Sequence, residues 1–144
     1  MDIPKAPCTL THCLDIQQRF GDYDAFQHVN NNAYMQYFDL GKTAYLSSLL
    51  EHSFSPNEIS AVIVNINCNF YAPTPIGESL CVKTGCSHVG DKSFTLYQQI
   101  VGKDTGVIKS TAQTVLAGFN IATQTGAELD IHLREVLLAA MQKS

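Results

Sequence analysis

The sequence predicts an α+β fold in which one antiparallel sheet curls around a central helix. Apolar side chains recur at three-to-four-residue spacing over residues 34–49, which is typical of a helix. Four later segments are read as strands, the first of them, residues 62–70, with the clearest apolar and polar alternation. Because short turn-forming links join the last three strands, neighbouring strands must run antiparallel. At 144 residues, the chain 1–144 is expected to form a single domain.

The first predicted elements are a strand and a polar loop. Over residues 8–16 the even positions are mainly apolar and the odd positions polar, and only His12 breaks this alternation. Residues 21–32 then form a polar stretch that ends in three asparagines, and asparagine is a favoured helix cap. We therefore predict a loop that leads directly into the long helix.

The long helix carries an apolar stripe wider than that of a surface helix, so we expect neighbours on several of its sides. Gly41 lies within it and costs about 1 kcal/mol in helix propensity relative to alanine. Its presence predicts a close approach to another backbone.

The remaining predicted elements are four strands and a short helix. After a loop that carries Pro56, strands are expected at residues 62–70, 79–89, 93–101 and 107–119. Residues 131–141 have apolar positions at helical spacing and predict a short C-terminal helix. The fold class is thus α+β, with five strands around one long helix.

Composition and charge exclude several classes of protein. Nine basic and thirteen acidic residues give a net charge of −4, and the basic residues do not cluster, so no nucleic-acid partner is expected. The first residues lack the pattern of a secretion signal, and no apolar stretch reaches membrane-spanning length, which predicts a soluble cytoplasmic protein without a membrane partner.

Five cysteines occur without a C-x-x-C pair, and the histidines lack metal-ligand spacing. We expect reduced, mostly buried thiols and no metal.

The stretch with the most chemical potential lies just before the long helix. A helix N-terminus presents unpaired backbone N–H groups and a partial positive charge, which can hold the oxyanion of a tetrahedral intermediate. Asp24 precedes that terminus by a few residues, so its carboxylate could attack an activated carbonyl or take a proton from an attacking water. The competing interpretation is a turn or capping aspartate. We expect Asp22 to be structural.

These residues resemble the hot-dog thioesterases of the 4-hydroxybenzoyl-CoA thioesterase type. The resemblance lies in residues 20–24, residues 28–31, Tyr34 and the helix that follows. It continues in residues 70–73, residues 77–78 and the hairpin at 90–94, and so spans most of the chain. It implies a hot-dog fold, in which a five-stranded antiparallel sheet wraps around a long central helix and a short helix ends the chain.

The resemblance also implies an activity: hydrolysis of an acyl-CoA thioester to a free acid and CoA, without a cofactor. It assigns the role of nucleophile or general base to Asp24, the oxyanion-binding backbone N–H to Asn31, and an assisting role to His28. The residues expected to contact the substrate are Tyr23, Tyr34, Lys92 and Ser93. Family members place active sites between subunits, which implies a homodimer or a homotetramer.

The chain departs from the family pattern at three positions. Gln27 stands where many bacterial members have glycine, and Lys42 where arginine is common, so a bidentate pairing made by that arginine would be lost. Asp91 occupies a position that is basic in the 4-hydroxybenzoyl enzyme.

Several alternatives remain open from the sequence. Asp39 is a competing catalytic carboxylate, because another class of hot-dog thioesterase has its catalytic acid on the central helix. An enoyl-thioester hydratase or dehydratase would use an acid–base pair instead of a nucleophile, and a non-catalytic protein would only bind the acyl thioester. The thiol carrier could be CoA or an acyl-carrier protein.

Overall fold

One antiparallel sheet and two helices make up the part of the chain that the computed structural model describes, residues 2–52 and 60–142. The strands are β1 (His12–Ile16), β2 (Ala61–Phe70), β3 (Leu80–Val89), β4 (Ser93–Gly102), β5 (Ile108–Asn120) and β6 (Thr125–Gly126). The helices are α1 (Asn31–Leu50) and α2 (Ile131–Met141), and a 3-10 turn, Phe20–Asp22, precedes α1. The predicted loop carrying Pro56 lies outside the described residues.

The strand order is β1-β3-β4-β5-β2, and all neighbours are antiparallel. This order confirms the predicted α+β fold of one antiparallel sheet with a long helix. The sequence did not predict β6, which pairs with Phe119 and Asn120 at the end of β5. Two residues are too few to show an alternation, so this strand leaves no recognisable sequence pattern.

The predicted first strand is too long, because β1 begins only at His12. Residues 8–11 do not continue the ladder with β3, which ends at the pair His12 and Thr84. A Cβ added to Gly85 would lie 2.3 Å from the carbonyl oxygen of Thr9. Since Cβ atoms point out of the sheet, residue 9 lies over the face of β3 instead of along its edge.

His12 points inward, which explains why it interrupts the alternation of β1. Its ring packs edge-on against Tyr45 of α1, with the ring centroids 6.1 Å apart. Burial lowers the pKa of the imidazole, so His12 is held in its neutral form against the helix.

Helix α1 begins at a well-formed cap and rests on the sheet. The side chain of Asn30 accepts a hydrogen bond of 2.8 Å from the N–H of Ala33. The helix buries most of its circumference, and apart from its first two residues and Ser48 the exposed side chains form one stripe: Gln36, Asp39, Leu40 and Thr43. The prediction of neighbours on several sides is therefore right for all but this stripe. Among the described residues, no helix is long and apolar enough to cross a membrane.

Gly41 marks the closest contact of α1 with the sheet. A Cβ at this position would lie 2.5 Å from Val82 Cγ1 and 2.9 Å from Gln98 Nε2. The predicted close approach is present, but the neighbours are side chains of β3 and β4 and not a backbone. The amide of Gln98 also donates to the carbonyl oxygen of Phe38 at 3.0 Å, which ties the middle of α1 to the sheet.

The core divides into two clusters along α1. The cluster around the second half of α1 also packs against α2: Tyr45, Leu46, Phe94, Leu96, Leu133 and Leu137. The cluster around the first half lies next to the loop that precedes the helix: Val29, Tyr34, Tyr37, Phe38, Val82 and Ile100. The start of α1 is therefore held by packing on the sheet as well as by its cap.

Strand β2 is the least covered element of the sheet. It pairs with β5 on one edge, and within the described residues no strand pairs with its other edge. Its apolar side chains are between 38% and 58% exposed: Val62, Ile63, Val64 and Ile66, with Phe70 at 40%. A long, apolar and unpaired edge is rare in a monomer, because it invites pairing with another chain.

The cysteines are free thiols and fewer are buried than predicted. Cys81 and Cys86 are buried, Cys8 and Cys68 are half-buried, and Cys13 is exposed. Burial raises the pKa of both Cys81 and Cys86 to about 11. These two thiols stay protonated at neutral pH and are unsuited to act as nucleophiles.

Candidate active site

Residues 22–30 fold into a small hairpin that ends at the start of α1. Its paired main-chain groups are the N–H of Asn30 with the carbonyl of Asp22, at 2.8 Å, and the N–H of Asp24 with the carbonyl of His28, also at 2.8 Å. The tip is a tight turn closed by the N–H of Gln27, which donates to the carbonyl of Asp24 at 3.0 Å. The predicted loop is therefore a structured element that holds Asp24 opposite His28.

Gln27 adopts a backbone conformation that favours glycine. Its φ is +64°, in the left-handed region. This explains in physical terms why glycine is common here among the proteins that the sequence resembles. The turn accepts glutamine at a cost of about 1–2 kcal/mol of backbone strain, and the carbonyl of Gln27 is fixed by the N–H of Ile76 at 3.2 Å.

Asp24 is exposed, and its two carboxylate oxygens differ. Oδ1 accepts from the N–H of Phe26 at 2.9 Å and from the N–H of His28 at 3.3 Å. Oδ2 has no hydrogen-bond partner among the described residues. Asp24 is thus a turn aspartate, as the competing interpretation expected, and it also keeps one oxygen free to act on a bound molecule.

His28 is linked to Asp24 through the main chain and not through its ring. The imidazole is half-buried and makes no hydrogen bond within the described part of the chain. Among the described residues, the ring is therefore neither paired with a carboxylate nor bonded to nearby backbone.

The N-terminus of α1 offers two open donors beside this hairpin. Asn31 is the first residue of the helix, and neither its N–H nor that of Asn32 has an acceptor among the described residues. Along the hairpin, the backbone pair of Asp24 and His28 lies two residues from the backbone pair of Asp22 and Asn30, a distance of about 7 Å. A free carboxylate oxygen and unpaired N–H groups therefore lie at the same end of the molecule.

Asp22, two residues before Asp24, is buried, and both of its carboxylate oxygens accept hydrogen bonds. It is 3% exposed, accepts from the Tyr37 hydroxyl at 2.6 Å, and forms an ion pair of 3.0 Å with Arg19, whose backbone N–H also donates to it at 2.9 Å. Burial by itself would raise the pKa of this carboxyl, but the hydrogen bonds from Tyr37 and Arg19 outweigh it and hold the pKa below its usual range. These contacts agree with the structural role expected of Asp22.

Tyr23 and Tyr34 lie near Asp24, but their hydroxyl groups are occupied. The Tyr23 hydroxyl donates to Gln18 at 2.7 Å, and that of Tyr34 is paired with Thr74 at 2.6 Å. The Tyr34 ring is buried and contacts Phe70 with the ring centroids 5.7 Å apart. Tyr23 is half-buried and can offer ring surface to a ligand, whereas Tyr34 is 2% exposed and offers almost none.

Lys92 and Ser93 are not close to Asp24 within one chain. They lie at the turn between β3 and β4, whereas the hairpin of Asp24 contacts the turn that precedes β3. The ten residues of β3 separate the two ends by roughly 30 Å. The neighbouring Asp91, acidic at a position that is basic in the enzyme it resembles, is exposed and pairs with Arg134 of α2 at 3.4 Å.

Asp39, the rival carboxylate, faces solvent about two turns beyond Asn31 along α1. It pairs with Lys42 at 3.0 Å and lies about 12 Å along the helix axis from Asn31. It borders a groove of about 390 Å³, whose lining residues are Gln17, Arg19, Gln36, Tyr37, Asp39, Leu40 and Thr43. Asp39 is therefore separated from the open N–H groups of the helix start.

No sequence pattern indicated the residues that support the hairpin from below. The N–H of Val29 donates to the carbonyl of Thr74 at 2.9 Å, and His28 forms a β-bridge with Pro75. Each of these partners lies more than forty residues away in the chain, so no local spacing could reveal them. No group of three or more potential metal ligands occurs in the described residues.

Residues 26–109 match the family model of the thioesterase superfamily. Over 115 residues the chain is 27% identical to the long-chain acyl-CoA thioesterase FadM of Escherichia coli K12, with 79% of this chain and 87% of FadM covered. A thioesterase from Thermus thermophilus in complex with coenzyme A and zinc has a similar structure, with a TM-score of 0.78 at 21% identity over 92% of this chain and 95% of the other. A 1,4-dihydroxy-2-naphthoyl-CoA thioesterase from Synechocystis gives a TM-score of 0.77 at 18% identity over 88% and 94%. At these identities the two structures show that the fold is shared.

Proposed function

The chain belongs to the thioesterase superfamily, has the hot-dog fold and is a thioester hydrolase, and from this premise we propose that Asp24 is the catalytic carboxylate of an acyl-CoA thioesterase. One observation carries the proposal. Asp24 is fixed through Oδ1 by two main-chain donors, while Oδ2 is free. A carboxylate held in this way loses little further freedom when it acts on a substrate.

The open N–H of Asn31 supports a second part of the proposal. The thioester carbonyl would place its oxygen at the start of α1, where the N–H groups stabilise the negative charge of the tetrahedral intermediate. Oδ2 of Asp24 then either removes a proton from a water that attacks the carbonyl carbon, or attacks that carbon itself to form an anhydride that water hydrolyses. In both routes the C–S bond breaks, the acid is released and the CoA thiolate takes up a proton.

We assign the assisting role to His28 through its position. Its N–H donates to Asp24 and its carbonyl accepts from the N–H of Asp24, so it fixes the catalytic turn from the opposite strand of the hairpin. Tyr23 would contribute ring surface beside the acyl group, and Tyr34 would support this part of the substrate site from within the core.

The substrate proposed is an acyl-CoA. Two similarities support this substrate: FadM is named as a long-chain acyl-CoA thioesterase, and the similar structure from Thermus thermophilus contains coenzyme A. The net charge of −4 also disfavours docking of an acidic carrier protein. We place the nucleotide end of CoA at Lys92, which is exposed, and Ser93.

This placement requires two chains, because Lys92 and Asp24 lie at opposite ends of β3 in one chain. We propose a homodimer in which Lys92 and Ser93 of one subunit serve the Asp24 of the other. The unpaired, apolar edge of β2 supports association, and a two-fold axis would repeat the same contact on both subunits. Two such dimers could further associate into a homotetramer.

The test is release of free thiol from acyl-CoA substrates by the purified protein. Asp24→Asn is expected to lower kcat by about 10²- to 10⁴-fold, because an amide neither accepts the proton nor attacks the carbonyl. The asparagine side chain keeps an oxygen for the bonds from Phe26 and His28, so the turn should persist. Aromatic, short-chain and long-chain acyl-CoAs are compared, together with an acyl-carrier protein thioester.

Asp39→Asn is the matched control, since it makes the same change on an exposed carboxylate of α1. It should leave kcat within about 3-fold of the parent. Near-normal turnover by Asp24→Asn would reject Asp24, and a large loss in Asp39→Asn would transfer the role to that residue. Loss of enoyl-CoA absorbance without thiol release by the parent protein would contradict the proposed reaction altogether.

A further inference from the structure

A buried ion pair lies beneath the turn that supports the catalytic hairpin. The ammonium of Lys109 on β5 is 2.9 Å from Oε1 and 2.8 Å from Oε2 of Glu78, and it donates to the carbonyl oxygen of Pro73 at 3.1 Å. The Lys109 side chain is only 7% exposed. The ammonium therefore donates hydrogen bonds to two oxygen atoms, Glu78 Oε1 and the Pro73 carbonyl, and lies within ion-pair distance of a third, Glu78 Oε2. All three oxygen atoms lie in residues 73–78.

The same turn contacts the hairpin of Asp24 on its other side. The carbonyl of Thr74 accepts from the N–H of Val29 at 2.9 Å, and the N–H of Ile76 donates to the carbonyl of Gln27 at 3.2 Å. His28 lies between these two contacts and forms a β-bridge with Pro75. Residues 73–78 are thus clamped between Lys109 and the segment that orients Asp24.

Burial of a lysine requires a strong reason, because an unpaired buried charge costs several kcal/mol. A well-packed apolar residue could fill the same volume of β5 at no such cost. Gly102 leaves room for the carboxylate of Glu78, because a Cβ at this position would lie 2.5 Å from Glu78 Oε2. The pair therefore serves to fix the geometry of the turn and not merely to fill the core.

We infer that Lys109 is a positioning residue for thioester hydrolysis, and that it acts through Pro73 and the 73–78 turn on the Asp24–His28 hairpin. Glu78 holds the ammonium in place by accepting a hydrogen bond through Oε1 and by pairing with its charge. Loss of the ammonium frees the carbonyl of Pro73, and the turn can then shift with the hairpin it supports. Displacements of about 1 Å in a catalytic group cost up to about 100-fold in rate.

The experiment compares Lys109→Met, Lys109→Arg and Lys103→Met in thiol release at a temperature where all three are folded. Lys103 is the matched control, because its ammonium pairs with Asp15 at 2.7 Å on the exposed surface, between β1 and the β4–β5 turn. Lys109→Met is expected to lower kcat by about 10- to 100-fold with KM within about 3-fold, since the residue touches the turn beneath the catalytic hairpin and not the substrate. Lys109→Arg should restore much of kcat, and Lys103→Met should behave as the parent.

A second measurement follows the hairpin directly. Amide hydrogen exchange in a peptide that contains residues 24–29 should speed up in Lys109→Met and stay unchanged in Lys103→Met, because the N–H groups of Phe26 and His28 are held by Asp24. If Lys109→Met does not fold, Glu78→Gln is the substitute, since it keeps the ammonium but removes its counter-charge, and kcat must fall below that of Lys103→Met.

The inference rests on the proposed function, and the two can fail separately. If Asp24→Asn keeps its turnover, the proposed catalytic residue is wrong. If Asp24→Asn is inactive while Lys109→Met has a lowered melting temperature but the kcat of the parent, Lys109 is only structural and the present inference is overturned. In the double variant, Lys109→Met should add almost nothing to the loss caused by Asp24→Asn, because both act on the same carboxylate.

Discussion

Asp22 and Asp24 lie two positions apart, but their carboxylates have different surroundings and therefore different roles. Asp22 is buried, and both its oxygens are occupied by Arg19 and Tyr37. Asp24 is exposed and keeps one oxygen free. Different environments are what allow neighbouring acids to serve different roles. Asp22, whose carboxylate is fixed, supports the start of α1. Asp24, which keeps one carboxylate oxygen free, is suited to act on a substrate.

The hydroxyl of Tyr37 should stabilise the fold only while Asp22 is ionised. Its hydrogen bond favours the carboxylate and helps hold the pKa of Asp22 below its usual range. A depressed pKa contributes stability that is present above the ordinary value near 4 and is lost as pH falls through the native value. Tyr37→Phe is therefore expected to cost about 1.5–3 kcal/mol near pH 7 and clearly less near pH 3, as measured by thermal denaturation at both pH values.

Tyr45→Phe provides the comparison at a site without a carboxylate partner. Tyr45 is as buried as Tyr37, but its hydroxyl bonds to Thr11 and to the backbone of Cys86, which are neutral. The loss of stability in this variant should not follow the ionisation of Asp22, so it should not shrink between pH 7 and pH 3. A pH-independent loss in Tyr37→Phe would show that its hydroxyl does not sense the ionisation of Asp22.

At the scale of elements, Gly41 limits how closely α1 rests on the sheet. In an exposed helix, glycine to alanine is stabilising by about 1 kcal/mol. Here the new Cβ would lie 2.5 Å from Val82 Cγ1 and 2.9 Å from Gln98 Nε2, and such overpacking costs about 1–3 kcal/mol. Gly41→Ala is therefore expected to lower the free energy of unfolding, measured by denaturant titration.

The double variant Gly41→Ala/Val82→Ala tests the cause. Removing the two methyl groups of Val82 takes away the nearest obstacle, so the double variant should be more stable than the sum of the two single effects predicts. Thr43→Ala, on the exposed stripe of the same helix, should instead gain a few tenths of a kcal/mol. An increase in stability from Gly41→Ala alone would refute the close contact.

The elements with long periodic patterns were predictable, and those set by contacts between distant residues were not. The predicted bounds of α2 agree with the structure, because its apolar positions repeat over three turns below the Asp130 cap. The start of β1 was wrong, since residue 9 is displaced onto the face of β3 by packing. Likewise, the hairpin of Asp24 was visible as a polar motif, but its support by Lys109 depends on Pro73 and Glu78, more than thirty positions away.

At the scale of the whole molecule, the two groups of predicted site residues lie at opposite ends of the sheet. Asp24, His28 and Asn31 gather at the start of α1, whereas Lys92 and Ser93 lie at the far end of β3. A single chain cannot bring both groups to one thioester, since CoA would have to span the length of the sheet. An antiparallel arrangement of two chains solves this problem, because a two-fold axis places the far end of one sheet beside the near end of the other.

Mixing two impaired variants of the protein tests this arrangement. Asp24→Asn removes the carboxylate, and Lys92→Glu repels the phosphates of CoA and should raise KM by about 10-fold or more. If each site combines Asp24 of one subunit with Lys92 of the other, every mixed dimer contains one site with both parent residues. Random reassociation after mild denaturation should then recover about a quarter of the parent activity at low acyl-CoA concentration, because half of the dimers are mixed and each has one complete site. Activity equal to the average of the two unmixed variants would mean that Lys92 serves its own chain or does not bind CoA.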